Sequence, residues 1–165
     1  YGSKSSIDLY KKFNNVLILR TLSKSFGLPS VRFGYIVGNE NIIKIFDTYR
    51  LSYESNFLTD HVVRYFIKNI KFVKKYISKV KIGRDFFKKQ IQNLGFKVYG
   101  GKSNFLLIDF EDINFKKKVV DDFQKNKIYT KSNYGKELSS CILVTCGFKN
   151  TMKKLYNIIG KVKKS

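Results

Sequence analysis

The 165-residue sequence has no tryptophan, one proline, one histidine and two cysteines. Cys141 and Cys146 lie five positions apart on a predicted strand, so their side chains face opposite sides and can neither form a disulfide nor share a metal ion. His61 alone cannot complete a zinc site, and it is the only candidate base for a Ser-His-Asp triad. We therefore expect no metal site, no disulfide framework and a structural role for His61.

Acidic residues and long apolar runs are also scarce. The sequence has 33 Lys and Arg against 12 Asp and Glu, a net charge of +21. One hypothesis is therefore a basic, non-catalytic domain that binds polyanions. Only five of the cations are arginines, and the lysines are spread along the chain, which argues against specific nucleic-acid recognition. With no signal peptide and no run of about 18 apolar residues, we expect a cytoplasmic protein without a membrane partner.

The most informative segment is residues 21–35. The apolar run 16–19 precedes it and a second apolar run, 35–37, leaves it, which predicts a strand, a loop and a strand. The loop carries Lys24 among hydroxyl side chains, and Arg32 follows eight residues later. A lysine that forms a Schiff base needs a rigid loop and neighbours that lower its pKa, while an arginine offers a planar fork for a phosphate.

This segment resembles the lysine loop of pyridoxal-phosphate (PLP) aminotransferases of fold type I, class I/II, in the histidinol-phosphate aminotransferase-like branch. The motif S-K-x-x-G-[LV]-x-x-x-R-x-G is matched by Ser23, Lys24, Gly27, Leu28, Arg32 and Gly34. The resemblance implies that Lys24 is catalytic: it carries PLP as a Schiff base and then moves the substrate proton. It also implies that Thr21, Ser23 and Arg32 bind the cofactor.

Weaker resemblances continue along the chain. Residues 95–108 resemble a "G-F-x-V … x-N-F-x-L" strand pair, and residues 141–147 resemble the family's late strand. The implied fold class is α/β, with residues 1–52 ending the large PLP domain and residues 53–165 forming a small C-terminal α/β domain. Family members are about twice as long as this chain. We therefore expect a C-terminal portion that is inactive alone, with the contacts to the cofactor ring lying upstream.

Three positions bear on the substrate. Relatives carry an arginine for the substrate's anionic group where this sequence has Leu143. A second basic position of the family corresponds to Lys131, which offers a point charge to an anion rather than a fork. Asn104 is either a turn residue before a strand or a residue that faces the substrate. The resemblance thus predicts a small amine or keto substrate, with a phosphorylated one as an option, held by Asn104 and Lys131.

The predicted function is PLP-dependent transfer of an amino group from a donor to a keto or aldehyde acceptor. The family also implies a homodimer for the intact enzyme. A PLP-dependent decarboxylase of a phosphorylated amino acid remains an alternative, because that branch shares the lysine loop. The sequence names neither the amino donor nor the acceptor.

Hydrophobic spacing predicts the remaining elements. We expect a helix from Asn39 and Glu40 to about Tyr49, and one long helix or two in tandem from about Val63 to Ile91, with Gly83 as the weak point. A helix end is expected at Gly95. The other expected elements are strands at 96–98, 105–109, 128–130 and 142–145, and helices at 115–126 and 152–162.

Overall fold

The computed structural model describes residues 5–52 and 54–164. The chain divides into two compact units, Ser3–Tyr76 and Ile77–Ser165, with the division inside a long helix. The domain boundary expected at residues 52 and 53 concerns the domains of the intact protein and stays a prediction.

The first unit is built around a β-hairpin. Strands β1 and β2 are antiparallel, with Thr21 opposite Gly34 and Ile18 opposite Val37. Asn39 caps the helix that follows, because its side chain accepts a hydrogen bond from the Asn41 N–H, as expected for this residue type. The elements in order are α1 (Leu9–Lys12), β1 (Ile18–Thr21), a 3₁₀ turn (Pro29–Val31), β2 (Gly34–Val37), α2 (Glu40–Thr48), α3 (Phe57–Lys68) and the start of α4 (Ile70–Asn93).

The long apolar stretch forms two helices, and the break lies at Asn69. Asn69 leaves helical geometry with φ −103° and ψ 38°, and its side-chain amide donates to the Tyr65 carbonyl, which ends α3. The expectation that Gly83 is the weak point is wrong. A Cβ at Gly83 would lie 2.1 Å from the Gly147 carbonyl oxygen, so this glycine permits close packing inside a continuous α4.

The second unit packs helices against a three-stranded antiparallel sheet. The strand order is β3-β4-β5, and β4 and β5 pair with Leu107 opposite Leu143. Its remaining elements are β3 (Lys97–Tyr99), β4 (Phe105–Asp109), α5 (Ile113–Lys125), a 3₁₀ turn (Lys136–Leu138), β5 (Cys141–Thr145) and α6 (Lys149–Lys164). The fully buried core includes Phe87, Ile91, Leu106, Ile108, Val119, Phe123, Ile142 and Ile159. Alternate β4 and β5 residues thus enter the core, as the period of a strand requires.

The strand expected at residues 128–130 does not form. Lys127 adopts a left-handed conformation with φ 57°, and the Ile128 N–H donates to the Phe123 carbonyl at the end of α5. Because helix termination uses this N–H group, it is not available to a sheet ladder. Only an isolated bridge between Lys131 and Leu143 follows. The predicted helix end at Gly95 is confirmed, with φ 89° and the Phe96 N–H bonded to the Ile91 carbonyl.

Across the described parts of the chain, no helix is long and apolar enough to cross a membrane. The same residues contain no group of three or more His, Cys, Asp or Glu side chains that could hold a metal ion.

Candidate functional site

The hairpin ladder brings both ends of the lysine loop together. Beyond the Thr21–Gly34 pair, the Leu22 N–H donates to the Phe33 carbonyl over 3.2 Å. The Leu28 N–H then donates to the Leu22 carbonyl over 3.2 Å, and the Leu22 side chain is buried. The residues just after β1 and those just before β2 are therefore held at the same end of the hairpin by backbone bonds around one buried leucine.

Two predicted cofactor residues, Thr21 and Ser23, are in direct contact. Thr21 Oγ1 lies 3.0 Å from Ser23 Oγ and 3.3 Å from the Phe33 carbonyl oxygen, either of which can accept its hydrogen. The Ser23 N–H donates to Thr21 Oγ1 over 3.1 Å. Such local bonds are typical of Ser and Thr in turns. Both hydroxyls are therefore oriented at the start of the loop.

Lys24 follows directly and its side chain is exposed. The Gly27 N–H donates to the Lys24 carbonyl over 3.1 Å and closes a tight turn. Gly27 has φ 69°, a conformation that favours glycine and explains its place in the motif. Lys24 thus lies in a turn whose backbone is held by the Gly27 bond and by the bond between Leu28 and Leu22.

Arg32, the fourth predicted cofactor residue, has a strained backbone. It follows the 3₁₀ turn with φ 54° and ψ 45°, a left-handed conformation that costs a non-glycine residue on the order of 1–3 kcal/mol. One Nη1 hydrogen goes to the Pro29 carbonyl over 2.9 Å, which uses one of the five guanidinium donors. Among the residues that the structure describes, no carboxylate forms an ion pair with Arg32.

These donors fit a phosphate monoester. A guanidinium and two hydroxyls supply a charge-assisted fork and further hydrogen bonds, which is the chemistry that phosphate oxygens require. An exposed lysine on the same loop adds an amine that can react with a carbonyl group.

A cleft of about 380 Å³ adjoins the start of the loop. Its lining residues include Arg20, Thr21, Ser25 and Tyr35. Sequence reasoning singled out only Thr21 among these. The hairpin register offers a signal for two more, because Arg20 lies opposite Tyr35 and opposed residues of antiparallel strands share a face.

The predicted substrate residues lie in the second unit. The Leu143 N–H donates to the Lys131 carbonyl over 2.8 Å, and Lys131 Nζ lies 5.1 Å from the centre of the Tyr134 ring. Leu143 is half-buried on the sheet face opposite the core residues of β5. The Asn104 carbonyl accepts from the Cys146 N–H over 2.8 Å, just beyond the end of β5. Both Asn104 and Lys131 are thus tied by backbone bonds to β5 or its end.

Burial makes the two cysteines unsuited to nucleophilic chemistry. It raises the pKa of Cys146 to about 11 and also raises the pKa of Cys141. Both thiols are therefore protonated at neutral pH. Nearby, a 2.6 Å hydrogen bond from Ser140 Oγ lowers the pKa of Asp109 below its usual range.

The family model "Aminotransferase class I and II" matches residues 1–159. Among curated relatives, the histidinol-phosphate aminotransferase of Thermoanaerobacter pseudethanolicus is 34% identical over 116 residues, which cover 70% of this chain and 32% of the relative. The histidinol-phosphate aminotransferase of Clostridium botulinum (strain Okra) is 31% identical over an alignment of 175 positions, which covers 98% of this chain and 46% of the relative. The chain spans less than half the length of these relatives.

Solved structures share the fold at lower identity. The histidinol-phosphate aminotransferase of Clostridium acetobutylicum superposes with a TM-score of 0.84 at 21% identity, over 98% of this chain and 50% of that one. The histidinol-phosphate aminotransferase of Sinorhizobium meliloti was solved in complex with pyridoxal-5'-phosphate. It superposes with a TM-score of 0.78 at 20% identity, over 92% of this chain and 42% of that one. These likenesses establish an α/β fold of the kind seen in such enzymes.

Proposed function

This chain belongs to the class I and II aminotransferase family, and we propose that the intact protein is a PLP-dependent aminotransferase. One observation carries the proposal. The β1–β2 ladder, with Thr21 opposite Gly34, holds Ser23, Lys24 and the strained Arg32 at one end of a hairpin. An amine that can form a Schiff base and a guanidinium that can bind a phosphate are what a phosphorylated aldehyde cofactor needs.

Each loop residue has a proposed role. The Lys24 amine would hold the cofactor and, when free, would move a proton at the substrate's reacting carbon. Arg32 holds the phosphate by a charge-assisted bond, and Thr21 and Ser23 add hydroxyl contacts. When bound, PLP supplies the electron sink for the reaction. Because Gly27 closes the turn behind Lys24, the amine pivots from a fixed backbone position.

The substrate is proposed to be a phosphorylated amine such as histidinol phosphate. The names of the curated relatives support this choice. So does the pairing of Lys131 with Leu143: a lysine can hold a phosphate as a point charge, whereas leucine cannot make the bidentate contact with a carboxylate. Asn104 is proposed to face the same substrate.

A homodimer in the cytoplasm completes the proposal, and the family resemblance supports it. Sedimentation velocity of the full-length protein tests the dimer, since a monomer at micromolar concentration would contradict it.

The decarboxylase alternative has support from fold alone: the L-threonine-O-3-phosphate decarboxylase of Porphyromonas gingivalis is 17% identical. Release of carbon dioxide from a phosphorylated amino acid, without amino transfer, would favour that alternative.

The Lys24→Ala variant of the full-length protein tests the central role. Borohydride reduction of the wild-type protein with PLP should fix the cofactor on the peptide that contains Lys24, as read by mass spectrometry. The variant should lose this label and about 10²–10⁴-fold or more of its amino-transfer rate, because both attachment and proton transfer are removed.

Lys44→Ala is the matched control, since Lys44 is an exposed lysine of the same unit whose partner is Glu40. It should keep both the label and the rate. A reduced PLP label on a different lysine in wild-type protein would show that the assignment of Lys24 is wrong.

A further inference from the structure

Two cations of α4 reach the same turn of the second unit. Arg84 and Lys88 are four residues apart, so they lie on one face of the helix. Arg84 Nη1 donates to the Ser103 carbonyl over 3.0 Å, and Lys88 Nζ donates to the Gly100 carbonyl over 2.6 Å. Both contacts fall within residues 100–104, which we call the 100–104 turn.

Arg84 is the more unusual of the two. It is only 3% exposed, and charged side chains are seldom buried without a specific partner. Its Nε and Nη2 both lie 2.9 Å from one oxygen of Asp85, while Nη1 points to the turn. The guanidinium therefore links the Asp85 carboxylate of its own helix to the Ser103 carbonyl. Its planar arrangement of N–H groups allows it to donate to both acceptors.

The turn needs such support because glycines begin it. Gly100 has φ 97° and Gly101 has φ 141°, conformations that only glycine adopts readily. Glycines also have the largest backbone freedom, so the turn on its own would sample many conformations. Two charged donors bonded to its first and fourth carbonyl groups restrict it at both ends.

Asn104 ends this turn. Its carbonyl is bonded to the Cys146 N–H, which fixes it to the end of β5. The residue before Asn104 is Ser103, whose carbonyl accepts the hydrogen bond from Arg84. Arg84 and Lys88 therefore restrict the backbone that precedes Asn104.

We propose that Arg84 and Lys88 are positioning residues that hold the 100–104 turn so that Asn104 can bind the substrate. This role rests on the proposed function, because it requires Asn104 to contact the substrate. It concerns affinity rather than chemistry, since neither cation is proposed to touch the reacting atoms.

The test uses the full-length protein with histidinol phosphate as amino donor and 2-oxoglutarate as acceptor. Arg84→Gln and Lys88→Gln should each raise the KM for histidinol phosphate about tenfold, the effect of losing one charge-assisted hydrogen bond, with a smaller change in kcat. Arg84→Lys should recover part of the loss. Lys89→Gln is the control, because Lys89 is an exposed neighbour on the same helix.

A double-mutant cycle with Asn104→Ala separates positioning from general stability. Lys88 is half-buried, so Lys88→Gln is suited to this cycle even if Arg84→Gln fails to fold. The Lys88→Gln effect on KM should vanish in the Asn104→Ala background. An undiminished effect in that background, or no effect of Lys88→Gln on KM in the wild-type background, would overturn the proposal.

Hydrogen exchange of the 100–104 turn distinguishes failure of the positioning role from failure of the proposed function. Exchange should be faster in Lys88→Gln than in wild type, and unchanged in Lys89→Gln. Unchanged exchange in Lys88→Gln would overturn the positioning role even in an active enzyme. Faster exchange in a protein without amino-transfer activity would instead overturn the proposed function, and the substrate role of Asn104 with it.

Discussion

Two glycines lie inside helices of the second unit, and alanine should have opposite effects on stability at these two positions. A Cβ at Gly160 in α6 would meet no atom within 4 Å. A Cβ at Gly83 in α4 would lie 2.1 Å from the Gly147 carbonyl oxygen and 2.9 Å from the Lys149 nitrogen. The chemical change is identical, so the difference isolates the tertiary environment.

The magnitudes follow from these distances. Alanine in a helix interior is favoured over glycine by about 1 kcal/mol, so Gly160→Ala should raise the free energy of unfolding by that amount. At Gly83 the same gain opposes an overlap with backbone atoms, which cannot rotate away. Overpacking costs about 1–3 kcal/mol and here reaches the upper end, so Gly83→Ala should lose about 2 kcal/mol.

Thermal and urea unfolding, followed by far-ultraviolet circular dichroism, measure both variants against wild type. For a cooperative unit of about 150–250 residues, we expect Tm to rise by about 2–4 °C for Gly160→Ala and to fall by about 4–8 °C for Gly83→Ala. A stabilised Gly83→Ala variant would refute the close approach of α4 to the residues before α6. A destabilised Gly160→Ala variant would refute the open surroundings of Gly160.

Three further outcomes are expected. Leu143→Arg should raise kcat/KM for glutamate about ten- to a hundredfold relative to histidinol phosphate in the full-length protein, because it adds a fork for a carboxylate; an unchanged profile would contradict the role given to Leu143. Asp109→Asn should lower the free energy of unfolding at pH 7 by about 1 kcal/mol, because it replaces the charged acceptor of the Ser140 bond. The pKa of Asp109 is lowered in the folded state, so its carboxylate stabilises the fold at pH values above the usual carboxylate pKa. This stabilisation is lost as the pH falls through the folded-state pKa. Urea unfolding should therefore show that wild type and Asp109→Asn become equally stable in acid. Burial raises the pKa of Cys146 to about 11, so its thiol should react with a thiol reagent at pH 7 about 300-fold more slowly than a free cysteine until urea unfolds the protein. Rapid labelling of the native state would contradict its burial.

Features set by neighbouring residues were predictable. The motif around Lys24 indicated a strand, a loop and a strand, and β1 and β2 enclose that loop. Asn39 caps α2, and Gly95 ends α4, because capping depends on the local backbone and one short side chain. The roles of Lys24 and Arg32 remain predictions, although the hairpin ladder places them at one end.

Features set by contacts between distant residues were not predictable. Gly83 read as a weak point because helix propensity disfavours glycine, yet its approach to Gly147 makes glycine necessary there. Ile128 read as a strand residue, but its N–H group is taken by the end of α5. Arg84 carried no signal at all, since its burial and its bond to Ser103 depend on how α4 packs against the turn.

The sequence alone therefore indicated which loop is the candidate for binding the cofactor, because its motif is a local order of residue types. It also determined most helices and strands, because hydrophobic periodicity records which face of each element is buried. Only the tertiary structure decided the break at Asn69, the packing at Gly83 and the contacts of Arg84 with the 100–104 turn. Those depend on the distance between atoms far apart in the chain, which no local pattern contains.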